Sequence, residues 1–279
     1  MTPLALLLVT IAGLFGLAIG SFLNVVVYRV PARIPLTRES RCPSCDTAIR
    51  PWQNVPVASW VVLRGRCAAC HESIPARYPL VEFGTGLAFA AVTWLYLASA
   101  ADQTAGDPRA VWSEVLVLVA FLYFAAISIA LTLIDMDTHR LPDAIVLPSY
   151  AVAGILFTFA AFLGGDWSAL LRAGAGMVTL YGFYFLLRLV RPSGMGGGDV
   201  KLAGVVGLYL GWVGWGALAV GAFSAFLIGG VIGLALILIR RASRKTAIPF
   251  GPYMLVGAWV GVLAGQSVGL AYLSLFSGQ

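Results

Sequence analysis

Charge is what this sequence has least of: Asp, Glu, Lys and Arg make up 11% of its 279 residues, while 60% are hydrophobic. That scarcity excludes an ordinary water-soluble domain. The chain also lacks a basic residue ahead of its first apolar run, roughly 4–27, which follows Met1-Thr2-Pro3 directly. A secretory signal needs a positive n-region and a small-residue cleavage site, so this run reads as a retained helix. No glycine-rich dinucleotide fingerprint follows a strand-like segment. The net charge of +6 sits beside apolar runs, where basic residues encode orientation, so nucleic-acid binding is not expected.

What is there is a series of apolar runs near 4–27, 80–100, 112–134, 144–164, 168–190, 202–217, 219–239 and 250–275. A bilayer core of ~30 Å takes ~20 apolar residues per helical span, so the fold expected is an all-α polytopic membrane protein with about eight transmembrane helices. Gly211, Gly214 and Gly216 around Trp212 and Trp215 mark a tight turn between the sixth and seventh runs. Lys and Arg collect on one side: Arg29 through Arg77, Arg140, Arg188, Arg191, Lys201, and Arg240, Arg241, Arg244 and Lys245, with only Arg109 and Arg172 opposite. Because cytoplasmic loops hold that excess, loops 28–79, 135–143, 191–201 and 240–249 are expected in the cytoplasm and both termini across the membrane.

Segment 28–79 is the one sizeable stretch outside the spans, and it holds all four cysteines, as Cys42-x-x-Cys45 and Cys67-x-x-Cys70 with 21 residues between the pairs. Two such knuckles offer four thiolates tetrahedrally, the closed arrangement of a structural Zn²⁺ site. Disulfides or a redox pair are the competing readings, but a cytoplasmic loop lies in a reducing compartment, where structural disulfides are rare. The segment is too poor in apolar residues for its own core, so metal binding is expected to supply its folding energy. His71, directly after Cys70, reads as a solvated loop residue rather than a ligand.

Two acids stand where apolar spans end, and ionisable groups at membrane depth are functional candidates. One is Asp135 in Leu133-Ile134-Asp135-Met136-Asp137-Thr138-His139-Arg140-Leu141-Pro142-Asp143; the other is Asp199 in Gly194-Met195-Gly196-Gly197-Gly198-Asp199-Val200-Lys201. Consecutive glycines open backbone conformations closed to other residues and admit a second chain. An aspartyl protease needs two carboxylates at one water, one ionised as base and one protonated as acid. An acid at a helix end is ordinarily a solvated or capping group, as expected of Asp143. The residues alone leave both readings open.

With these stretches the sequence resembles the bacterial type IV prepilin peptidases, of the GxGD class of membrane aspartyl proteases, over nearly its full length. Gly196-Gly197-Gly198-Asp199 matches GxGD, and Ile134-Asp135 with Leu141-Pro142-Asp143 matches the motif of the first catalytic acid. The resemblance implies Asp135 and Asp199 as the dyad, with Asp137 a rival for the first position. It implies cleavage after a glycine, leaving a phenylalanine-like first residue on prepilin or pseudopilin precursors. Gly20-Ser21-Phe22-Leu23-Asn24-Val25, Tyr28-Arg29, the four cysteines and Tyr78-Pro79-Leu80-Val81-Glu82 resemble the branch that then N-methylates the new terminus with S-adenosylmethionine. That implies Asn24, Arg29 and Glu82 beside the cofactor.

The division expected is a first helix (1–27), a cytoplasmic zinc-binding loop domain (28–79) and a transmembrane peptidase domain (80–279). The setting expected is the bacterial inner membrane, with the active site at its cytoplasmic side and lipid around the spans. A proton- or ion-coupled transporter is one alternative, but such a path needs acids near the midplane, whereas Asp102, Asp107, Glu114 and Asp166 lie on the far side and the rest on the cytoplasmic edge. A zinc-dependent assembly factor is the other, and it would survive loss of Asp199.

Overall fold

The computed structural model describes residues 2–100, 107–192, 195–239 and 249–277. Asp102, Gly194 and the basic run of Arg240, Arg241, Arg244 and Lys245 lie outside them. All eight apolar runs are helices: α1 (Pro3–Arg29), α3 (Arg77–Ala100), α4 (Pro108–Thr138), α5 (Asp143–Gly164), α6 (Trp167–Val190), α7 (Gly197–Val213), α8 (Trp215–Leu238) and α9 (Gly251–Ser277). A 3₁₀ turn (Pro51–Asn54) and the short α2 (Ala58–Val62) lie between α1 and α3. Among the described residues, six of these helices, α1, α3, α4, α5, α6 and α8, are long and apolar enough to cross a membrane.

Local chemistry sets the helix ends. Thr2 caps α1 by accepting the Ala5 N–H at 3.3 Å, with Pro3 in the first turn. Asp166 caps α6 through the Ala169 N–H at 2.9 Å. Gly165 ends α5 in the left-handed region at φ 76°, where glycine carries no Cβ penalty. Gly214 makes the tight turn between α7 and α8, at φ 155° and ψ 169°.

Two compact units result. The first comprises Met1–Pro108 with Phe121–Ala130. Within it α1 and α3 pack through small residues: a Cβ on Gly16 would stand 2.8 Å from the Phe89 Cβ, and one on Gly20 2.6 Å from the Glu82 Cα. In lipid, where no hydrophobic force drives helices together, such close approach supplies the dispersion contacts that do. The second unit comprises Arg109–Ala120 with Leu131–Gln279. Here α7 is the centre: Val200 and every residue from Leu202 to Gly211 are buried. At 17 residues it is about 25 Å long, short of a full span, and protein surrounds it.

Neighbours complete the ends of α7. Arg172 of α6 donates to the Gly211 and Trp212 carbonyls at 2.8 and 2.9 Å, and Gln266 of α9 to the Val213 carbonyl at 3.0 Å. A basic residue at a helix C-terminus satisfies orphan carbonyls and opposes the negative end of the dipole. Tyr209 donates to the Ala120 carbonyl of α4 at 3.1 Å and meets Phe157 of α5 edge-on. The other end of α7, its N-terminus, carries Asp199.

Candidate active site

Asp135 lies in the last turn of α4 and is 4% exposed, directly after Ile134, which is 1% exposed. Its Oδ2 accepts the Gly251 N–H at 3.0 Å. Gly251 is the first residue of α9, so its N–H is one of the orphan donors of a helix start. Asp137, two residues further on, is about 200° around the helix and exposed. One face of α4 thus turns a single acid inward.

Asp199 lies in the first turn of α7 and is half-buried; its Oδ2 accepts the Gly196 N–H at 3.0 Å. The glycines ahead of it serve close approach. A Cβ on Gly198 would stand 2.8 Å from the Leu141 Cβ, and one on Gly197 2.7 Å from an Arg188 guanidinium nitrogen. Gly251 has the same neighbour, since its Cβ would meet Asp135 Oδ2 at 2.7 Å and the Leu141 Cδ2 at 3.4 Å. Leu141 is therefore common ground for the backbone beside each acid, and Asp199 lies within electrostatic reach of Asp135. Among the described residues, Oδ1 of each acid takes no hydrogen bond.

Asp143 opens α5 and pairs with Lys201, whose Nζ donates to both its carboxylate oxygens at 2.8 Å. Tyr150 donates to the Lys201 carbonyl at 2.5 Å. These contacts fasten the first turn of α7 to α5. Tyr184, Phe226 and Phe250 pack against one another with tilted rings and centroids 5.3 to 6.0 Å apart, an apolar wall beside the start of α9.

In the other unit, each Cys-x-x-Cys forms a knuckle and the two are built alike. Arg41 bridges to Ala48 and Arg66 to Ser73. The residue after each second cysteine, Asp46 or His71, has positive φ, and its N–H returns to the carbonyl of the first cysteine at 2.9 and 3.1 Å. The four Sγ atoms lie within 4.8 Å of one another and form a cluster able to hold a metal ion. Cys42 and Cys70 Sγ are 3.8 Å apart, far beyond a disulfide bond. A tetrahedral ion bound at about 2.3 Å sets its sulfur ligands at this separation. The Thr47 hydroxyl, 3.3 Å from Cys45 Sγ, brings that thiol down to about 6, toward the thiolate a metal requires. His71 is exposed and outside the cluster.

The three polar residues bordering this loop each have a partner. Asn24 donates to the Tyr78 carbonyl at 3.1 Å, tying the end of α1 to the start of α3. Arg29, 8% exposed, donates to the carbonyls of Pro35, Leu36, Arg38 and Glu39 and so folds the chain leaving α1 back onto it. Glu82, 9% exposed, accepts the Val57 N–H at 2.7 Å and lies within reach of the Ser21 hydroxyl. Val57 is held at φ 60°, a strained conformation for a β-branched residue. Among the described residues Glu82 has no cationic partner.

The sequence did not single out Gly251, and it marked Leu141 only as part of a motif, not as a packing partner of Gly198 and Gly251. Pro249-Phe250-Gly251-Pro252 was legible only as the start of the last run, and the partner of Gly251 lies 116 residues earlier.

Comparison with known proteins gives a consistent result. Residues 14–96 match the model of the bacterial peptidase A24 N-terminal domain, and residues 122–238 that of the type IV leader peptidase family. A Pseudomonas putida protein called prepilin leader peptidase/N-methyltransferase is 37% identical, over 93% of this chain and 92% of its own. Proteins of the same description from Stutzerimonas stutzeri and Neisseria gonorrhoeae are each 36% identical, covering 97% and 93% of this chain and 95% and 92% of theirs. No solved structure matches. None of these relatives supports a transporter or a non-enzymatic assembly factor.

Proposed function

Because the chain belongs to the type IV leader peptidase family, we propose that Asp135 and Asp199 are the carboxylates with which it removes the leader from prepilin-like precursors. Its activity is that cleavage together with N-methylation of the exposed terminus. The observation carrying the assignment is that two acids, from the ends of α4 and α7, lie beside Gly251 and Gly198, which both approach Leu141. Each has its Oδ2 engaged by a glycine N–H, leaving Oδ1 for a water. One ionised carboxylate takes a proton from that water as it attacks the scissile carbonyl. The other, protonated, donates to the carbonyl oxygen; no acyl-enzyme forms. The glycines of 196–198 leave room for an extended substrate backbone beside Asp199.

The excess of Lys and Arg on loops 28–79, 135–143 and 191–201 supports an inner-membrane protein whose active site faces the cytoplasm, where prepilins and pseudopilins present the junction of leader and apolar helix. Lipid contacts the exposed apolar faces of the spans. Segment 28–79 serves methylation, and the peptidase lies within 80–279.

The all-cysteine donor set, with its sulfur spacing, fits Zn²⁺ held by Cys42, Cys45, Cys67 and Cys70 with no open position, so its role is to fold the loop. S-adenosylmethionine supplies the methyl group when bound. The buried carboxylate of Glu82, without a cationic partner among the described residues, fits the positive charge of that donor. Asn24 and Arg29 border the same region and hold the chain around it.

The test is mass spectrometry of a prepilin-like substrate incubated with the purified protein and S-adenosylmethionine, beside Asp199→Asn. Leader loss and one added methyl with the parent, and neither cleavage nor a methylated new terminus with the variant, are expected. Full cleavage by Asp199→Asn would refute the assignment.

A further inference from the structure

We infer that Gly251 is a positioning residue for cleavage: its N–H, at the start of α9, holds Asp135 in the orientation the reaction uses. The inference rests on the assignment of Asp135 as a catalytic acid. The first N–H groups of a helix find no partner within it. In α9 the first intrahelical bond runs from the Met254 N–H to the Phe250 carbonyl at 3.1 Å. Pro252, next after Gly251, has no N–H to offer. That leaves the N–H groups of Gly251 and Tyr253, and it is Gly251 that meets the acid: Asp135 Oδ2 accepts its N–H at 3.0 Å across 116 residues of chain.

Only glycine permits this. A Cβ at position 251 would stand 2.7 Å from Oδ2, inside contact distance, with Leu141 at 3.4 Å behind. The donor is also rigidly placed, because Phe250 packs against Tyr184, Phe226 and Tyr253 at centroid distances of 6.0, 5.3 and 6.5 Å. An aspartate has two soft torsions, and fixing one carboxylate oxygen removes the rotation that would carry the other away from the water. Asp199 is restrained alike by Gly196. The two acids therefore keep Oδ1 as their reacting oxygens, a preorganisation whose loss is felt in the chemical step rather than in substrate binding.

The experiment compares Gly251→Ala, Asp135→Asn and Gly230→Ala, the last at a helical glycine whose Cβ would meet nothing within 4 Å, in steady-state leader cleavage by the purified full chain. For Gly251→Ala kcat is expected to fall about 10- to 100-fold with KM unchanged, while Gly230→Ala keeps parent values. Unchanged kcat, or a rise in KM alone, overturns the inference. An active Asp135→Asn instead removes the dyad assignment beneath it, so the two failures are distinguishable.

Should Gly251→Ala not fold, the hydrogen bond itself can be read in otherwise intact protein. Phe-Gly occurs three times in the chain, at Phe15-Gly16, Phe83-Gly84 and Phe250-Gly251, so ¹³C′-Phe, ¹⁵N-Gly labelling yields three amide signals. Asp135→Ala is expected to shift the Gly251 proton upfield and leave the other two in place; an unmoved Gly251 signal overturns the proposal.

Discussion

Replacing Asp135 or Asp137 by asparagine, one at a time, removes a single charge at nearly constant volume, and the geometry of α4 says the two changes should differ by orders of magnitude. The acids are two residues apart, about 200° around one helix. Asp135 is 4% exposed with Oδ2 on Gly251, and Asp137 is exposed. In Asp135→Asn the amide oxygen can still accept the Gly251 N–H, so the fold should persist while proton transfer to the water is lost. Loss of a general base costs about 10²- to 10⁴-fold. Asp137→Asn changes a surface group, and its turnover should stay within a few-fold of the parent. Leader cleavage of a purified precursor, resolved by mass and timed over decades of enzyme concentration, separates these. An inactive Asp137→Asn beside an active Asp135→Asn would show that burial and helix phase misidentify the first acid.

Three further outcomes are expected. Cys42→Ser, or chelation of the parent, should abolish stoichiometric zinc measured by atomic emission and open segment 28–79 to limited proteolysis, because the knuckles have no apolar core to fall back on; full metal content in the variant would exclude the four-cysteine site. Glu82→Gln keeps a carbonyl oxygen for the Val57 N–H but removes the charge, so methylation of the new terminus should fall at least tenfold, by about the worth of a charged hydrogen bond, with cleavage retained. Gly257→Ala forces a Cβ to 2.5 Å from the Ala225 backbone nitrogen and should destabilise the α8 and α9 pair by about 1–3 kcal/mol, read as a lower midpoint of thermal unfolding in detergent.

Much of the architecture is legible in composition, since a bilayer accepts only backbone that satisfies its own hydrogen bonds, and a run of some 20 apolar residues has the helix as its one solution. The cysteine cluster is legible for a similar reason: two short knuckles impose their geometry locally, so spacing alone brings the four thiols together. The acids were visible singly, as charges where charge is costly.

What Arg172 and Gly251 do was not visible. Arg172 stood out only as a basic residue on the wrong side, and its service to the α7 carbonyls depends on α6 lying against α7. Arg29, Asn24 and Glu82 were marked as polar groups near a loop. Which backbone groups they bind follows from how that loop folds back.

By itself, then, the sequence determined the helices, the four-cysteine cluster and the two motifs that bear acids, because each depends on neighbours in the chain or on the solvent. Tertiary structure alone decided that Asp135 rather than Asp137 turns inward, that α9 begins with the Gly251 N–H on that carboxylate, and that Leu141 of the first acid motif lies against both Gly198 of the second and Gly251. These are contacts between segments up to 116 residues apart, and they arise from glycine-mediated helix packing, which a linear pattern does not encode.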